Sequence, residues 1–127
     1  MTSRRVFRTR TFSRWMLKNG LTNAALLQAV DEMAQGLVDA DLGGHVFKKR
    51  VALPGRGKRG SARTIVATRL NDRWFFLFGF NKNEKANLDK GELKLLQELG
   101  HSLLEASETA LADALLCGEL LEVMYEH

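Results

Sequence analysis

The run Trp74-Phe-Phe-Leu-Phe-Gly-Phe80 constrains the fold more than any other segment. Side chains alternate across a strand, so this stretch is apolar on both faces: Trp74, Phe76 and Phe78 on one, Phe75, Leu77 and Gly79 on the other. Such a strand belongs at the centre of a sheet, where both faces leave water. At least one face then needs a helix over it, and Leu93, Leu96 and Leu99 recur at helical spacing to provide one.

Two further strand patterns precede it. In Val46–Leu53, Phe47, Val51 and Leu53 point one way and Lys48, Arg50 and Ala52 the other. Ala62–Leu70 is β-branched and places Arg63, Ile65, Ala67 and Arg69 on one face. Asn71-Asp72 reads as a tight turn into the apolar run, since both residues tolerate positive φ. The result is an antiparallel meander, 46–53, 62–70 and 74–80. Arg4–Arg8, carrying Phe7, is an added edge strand.

Helical signals surround the meander. Phe12, Trp15 and Met16 predict a short helix over Thr11–Lys18, closed by Asn19-Gly20. Thr22 caps a second helix with a Leu21–Leu26 staple and an apolar stripe of Leu26, Val30, Met33 and Leu37; residues 39–44 follow as loop. Asp89 and Glu92 form a capping box, with Leu88 and Leu93 as staple, before a long helix whose stripe continues to Leu103. Ser107 recaps a helix through Leu111, Leu115 and Leu116, stopped by Gly118. Leu120–Val123 is either a last edge strand or a docking tail. At 127 residues the chain fits one domain. The expected fold is α+β, a small antiparallel sheet (central three-strand meander plus N-terminal edge strand) with helices packed on it, over residues 1–127.

Charge supplies the functional signal. Between Lys48 and Arg73 lie nine Lys or Arg residues opposed only by Asp72, and the glycine-rich segment Pro54–Gly60 joins the two basic strands. A polyanion is the natural partner, because each cation that neutralises a phosphate releases counterions. Residues 1–85 carry net +11 and residues 86–127 net −7, which predicts a basic working surface segregated from acidic helices.

Several classes drop out. Cys117 is the only cysteine, so no internal disulfide forms. His45, His101 and His127 are scattered, so neither a metal site nor a cofactor is expected. Gly55–Gly60 lacks the phosphate-loop spacing of Gly-x-x-x-x-Gly-Lys-Ser/Thr. No apolar stretch reaches a membrane span, and the N-terminus has no secretory apolar segment, which together place the chain in the cytoplasm without a membrane partner.

RNA offers chemistry that needs no metal. Its own 2′-hydroxyl can attack the adjacent phosphorus while cationic side chains stabilise the charge that develops on the phosphate. A crowded lysine can act as acid or base, whereas arginine clamps the phosphate. Lys48 and Arg50, two apart on one strand face, suit a single phosphodiester.

The order Val46-Phe-Lys-Lys-Arg-Val51, glycine-rich loop, Ala62-Arg-Thr-Ile-Val66, then Phe76-Leu-Phe-Gly-Phe-Asn-Lys-Asn-Glu84 resembles the RelE/ParE superfamily of type II toxin–antitoxin toxins. Leu42-Gly-Gly-x-x-Phe-Lys-Lys-Arg50 and Gly79-Phe-x-Lys-x-Glu84 narrow the likeness to the RelE-like and HigB-like subfamily. The match runs from about residue 4 to residue 123.

The resemblance implies an mRNA endoribonuclease acting on messages in the ribosomal A site, neutralised by a cognate antitoxin encoded in an adjacent gene. It implies catalytic roles for Lys48, Arg50, Arg63 and Lys82. Lys49, Arg56, Lys58, Arg59 and Arg69 are expected to bind RNA. RelE places a tyrosine a few residues beyond the position of Lys82; here that stretch is Glu84-Lys-Ala-Asn-Leu88, and Tyr125 is the only tyrosine. The antitoxin's apolar anchors are expected beside Leu120–Val123 or along Phe12, Trp15 and Met16. Alternatives are a ParE-like gyrase poison, a non-catalytic basic nucleic-acid-binding module, and a phage regulatory protein whose acidic helices bind a partner.

Overall fold

The computed structural model describes residues 4–53, 61–81, 85 and 87–125. In chain order they form β1 (Arg5–Thr9), α1 (Arg10–Lys18), α2 (Asn23–Ala34), β2 (Ala40–Asp41), β3 (Val46–Ala52), β4 (Ser61–Thr68), β5 (Arg73–Asn81), α3 (Lys90–Glu105), α4 (Glu108–Leu116) and β6 (Leu120–Val123). The strands make one six-stranded sheet in the order β2-β3-β4-β5-β1-β6. The expected α+β class and the antiparallel β3–β4–β5 meander are both present.

Helices cover both faces of the sheet. Val66, Trp74 and Phe76 pack against Phe12, Met16, Leu26, Val30 and Met33 of α1 and α2. Opposite them Ile65, Ala67, Phe75 and Leu77 pack with Leu104 and Leu111 of α3 and α4. Trp74, Phe75 and Phe76 are fully buried, as a two-faced apolar strand requires. Each such side chain contributes about 1.5–3 kcal/mol relative to exposure. The capping residues fall where the sequence places them: Thr22 accepts from Ala25 N, Ser107 from Ala110 N, and Asp89 with Glu92 closes a full capping box on α3.

The N-terminal strand is interior rather than an edge. β1 runs parallel to β5 and antiparallel to β6, and fully buried Phe7 stacks on Phe75 with centroids 5.0 Å apart. The edges are β6, which settles Leu120–Val123 as a strand, and β2, two residues inside the segment expected to be loop. A register shift between Ile65 and Val66 marks a bulge in the β4–β5 pairing. It breaks the alternation of β5. Phe78 joins the Phe75 and Leu77 side, and Gly79 lies against the ring of Trp15 on the α1 side.

Other expectations fail for local reasons. α2 ends at Ala34, which leaves Leu37 56% exposed. On α3 the buried stripe is Leu96, Gly100, Leu103 and Leu104, while Leu99 is 40% exposed. A Cβ on Gly100 would lie 2.9 Å from the Ala67 Cβ and 3.4 Å from the Val46 Cγ2, so the missing side chain sets how closely α3 approaches the sheet. Leu116 on α4 is also exposed. The β4–β5 connection spans 69–72, and its positive φ of 64° falls on Leu70 rather than on Asn71 or Asp72. There the Thr68 hydroxyl accepts from Leu70 N at 2.9 Å and fixes the turn. Phe12 and Met16 are buried, which removes them as exposed anchors for a partner.

Candidate nucleic-acid interface

Strand register assembles the cationic site. On the α3 side of the sheet, Val46, Lys48 and Arg50 of β3 lie opposite Ala67, Ile65 and Arg63 of β4. Gly100 of α3 packs on the Val46–Ala67 end. At the other end Arg50 is exposed, and Lys48 and Arg63 are half-buried. Arg50 and Arg63 are direct cross-strand partners. These three side chains and Asp39 line one cavity of about 180 Å³.

Like charges directly opposite each other in a sheet destabilise it. Among the described residues no carboxylate ion-pairs with Lys48, Arg50 or Arg63. The one polar side-chain contact is a long bond from Arg63 to the Ser61 hydroxyl, 3.4 Å. Several arginines elsewhere are ion-paired, although among the described residues Arg8, Arg10 and Arg14 are not. Arg5 pairs with Glu108 and Glu122, Arg69 with Glu105, and Arg73 with Glu108. Those pairs draw the acidic helices onto basic residues at the opposite end of the sheet, so the expected full segregation of charge does not hold. The bonds that Arg5 donates to Glu122 raise its guanidinium above its ordinary value, and the bond that Arg73 donates lowers the Glu108 carboxyl below its own.

Asp39 organises the rim of the cavity. Its backbone N donates to Lys48 O at 2.9 Å, and its carboxylate Oδ2 accepts from Arg50 N at 2.6 Å. These two bonds tie the Lys48–Arg50 stretch of β3 to the chain just ahead of β2. The turn between β2 and β3 is held in turn by α3, whose Gln97 Nε2 donates to Leu42 O at 3.0 Å. The space is therefore walled on its β2–β3 side by backbone that these bonds hold in place.

The remaining expected site residues separate into three groups. Lys49 alternates to the other face, where it is buried and its Nζ lies 2.8 Å from Glu32 of α2; that bond holds the Glu32 carboxyl below its ordinary range. It cannot share a surface with Lys48 and Arg50. Arg69 lies at the far end of β4, bound to Glu105 and to Leu104 O. Arg56, Lys58, Arg59 and Lys82 lie outside the described residues. Asp39 is the residue that strand patterning missed. The signal available in the sequence was a carboxylate nine residues before Lys48, and only the β2–β3 pairing turns that separation into proximity.

The fold and this cleft define a small α+β protein that presents, from two adjacent strands, cations without an ion-pair partner among the described residues. The sequence matches, over residues 4–123, the family described as RelE toxin of the RelE / RelB toxin–antitoxin system. The chain belongs to that family, whose toxins have an antitoxin as partner. No curated protein matches it.

Proposed function

We propose that this toxin is an mRNA endoribonuclease that uses the RNA's own 2′-hydroxyl, with Lys48, Arg50 and Arg63 as its phosphate-binding and charge-stabilising groups and Lys82 as a further catalytic residue. The carrying observation is the cross-strand Arg50–Arg63 pair, which shares a cavity with Lys48 and makes no ion pair with a carboxylate among the described residues. A phosphodiester supplies an anion to these cations. Cations already held in place stabilise the extra charge of the transition state without reorganising, a contribution of the kind whose removal costs about 10²–10³ in rate. Lys48 carries a proton that it can give to the departing 5′-oxygen, whereas arginine stays charged. The reaction takes place in the cytoplasm on messages engaged by the ribosome.

Inducing the protein alone should arrest bacterial growth, and primer extension should show new message ends within codons. A 2′-deoxy nucleotide at the cut position should abolish the cut. Intact messages with double-strand DNA breaks would instead identify a gyrase poison. Binding to RNA and DNA alike with a steep salt dependence, and no cutting, would identify a passive binder. The antitoxin, encoded beside this gene, docks at the β6 edge, where Leu121, Met124 and Tyr125 are exposed and the outer edge of β6 has no strand neighbour among the described residues. Complete dissociation of the complex at moderate salt would rule out an apolar anchor there.

A further inference from the structure

Resting on the endoribonuclease reading, we propose that Asp39 is the general base, taking the proton from the attacking 2′-hydroxyl. Of the described residues that line the cavity, Asp39 carries the one carboxylate, a group suited to accept a proton. One carboxylate oxygen, Oδ2, accepts from Arg50 N, and among the described residues the carboxylate makes no ion pair with Lys48, Arg50 or Arg63. A phosphodiester bound to those cations within the shared cavity would bring its neighbouring 2′-hydroxyl to this carboxylate.

Other acceptors among the described residues are badly placed. Tyr125 follows β6, four strands from β3 and on the order of 19 Å away across the sheet. His45 precedes β3 by one residue, at the end remote from Arg50, roughly 16 Å along the strand. His101 is exposed on α3. The charged groups facing Asp39 are Lys48 and Arg50 from β3 and Arg63 from β4, with Glu32 of α2, itself held by Lys49, close enough to feel the Asp39 charge.

The step balances without another reactant. The 2′-hydroxyl proton passes to Asp39, the 2′-oxygen–phosphorus bond forms, and the phosphorus–5′-oxygen bond breaks. The 5′-oxygen takes a proton from Lys48, leaving a 2′,3′-cyclic phosphate on one fragment and a 5′-hydroxyl on the other. Solvent then returns a proton to Lys48 and removes one from Asp39.

The test is single-turnover cleavage by the purified full chain, on a message programmed onto ribosomes and on the same RNA free in solution, across a pH series. Asp39→Asn keeps an oxygen to accept from Arg50 N but cannot take the proton. It should slow cleavage by about 100-fold or more and change the pH profile of the rate. Asp39→Glu should recover part of both, and thermal unfolding of Asp39→Asn close to the natural protein's would exclude a folding defect. A natural protein that cuts while Asp39→Asn cuts within threefold, with an unchanged pH profile, overturns the assignment of Asp39 alone. A natural protein that cuts neither substrate overturns the endoribonuclease reading and this one with it.

Discussion

Replacing Arg63 with Gln should make the protein harmless and slightly more stable. Arg63 and Arg50 are direct cross-strand partners on β4 and β3, and among the described residues neither ion-pairs with a carboxylate. Two unit charges about 5 Å apart repel by roughly 0.8 kcal/mol in water and more where protein displaces solvent. Measured cross-strand like-charge penalties fall at about 0.2–1 kcal/mol. Gln retains most of the aliphatic stem that lies beside Phe80, the cross-strand neighbour of Arg63 on β5, so little packing is lost. Only the weak bond to the Ser61 hydroxyl disappears. The net gain should be about 0.5 kcal/mol, or roughly 2–3 °C in Tm for a chain of this size. Thermal unfolding at low and at high salt is the assay, because screening beyond about 0.5 M should remove most of the difference. Growth arrest on induction should be lost at the same time. Arg63→Gln unfolding several degrees below the natural protein at low salt would mean that Arg63 is a structural residue with a partner the geometry does not reveal. The charge argument for the site would then fail.

Three other outcomes follow from the packing. Gly100→Val should cost about 2–3 kcal/mol in denaturant unfolding, because a branched side chain has no room between α3 and the Ala67 and Val46 side chains. A midpoint within error of the natural one would mean α3 is less tightly docked than described. Lys49→Met should leave toxicity intact and change stability little, since Lys49 points away from the cavity and its buried stem can be replaced by an apolar one; loss of toxicity in a well-folded variant would return Lys49 to the site. Glu32, whose carboxyl is held low by the bond from Lys49, binds its proton less readily in the folded than in the unfolded chain. Its contribution is therefore full above the unfolded glutamate's pKa and is lost as pH falls through the lower folded value. Between roughly pH 5 and pH 3 the natural protein's unfolding midpoint should fall more steeply than that of Glu32→Gln, and parallel curves would refute the linkage.

Local chemistry was legible in the sequence where a residue answers to its immediate neighbours. The caps at Thr22, Asp89 and Ser107 each depend on groups within three residues, and the two-faced burial of Trp74–Leu77 follows from alternation alone. The sequence pattern failed where a distant segment decides. Nothing near Arg5–Thr9 states that it inserts parallel to β5, and nothing in β5 announces the bulge that turns Phe78 over. Leu99 obeys the helical period yet remains partly exposed, because Gly100 rather than a leucine makes the closest approach to the sheet. The Lys48–Arg50–Arg63 face was readable from period-two alternation, whereas Lys49 was counted with it on charge although its alternation sends it to the other side. Asp39 required the β2–β3 pairing before it had any meaning.

The place of β1 bears on when this toxin can exist during its own synthesis. Strand β1, made before the other strands of the sheet, finds its neighbours only at residues 73–76 and 120–123. Those pairings cross most of the chain, so closing them is slow compared with forming the helices or the meander. Phe7 has no ring to stack on until β5 has been made, and β1 has one bare edge until β6 has been made. A nascent chain that already holds Lys48, Arg50 and Arg63 is still an unfinished sheet with its first strand waiting for its last. Termination before Leu120 would leave that strand open to whatever extended peptide reaches it first, which gives chaperones and proteases a window on the product before it can harm the cell that made it.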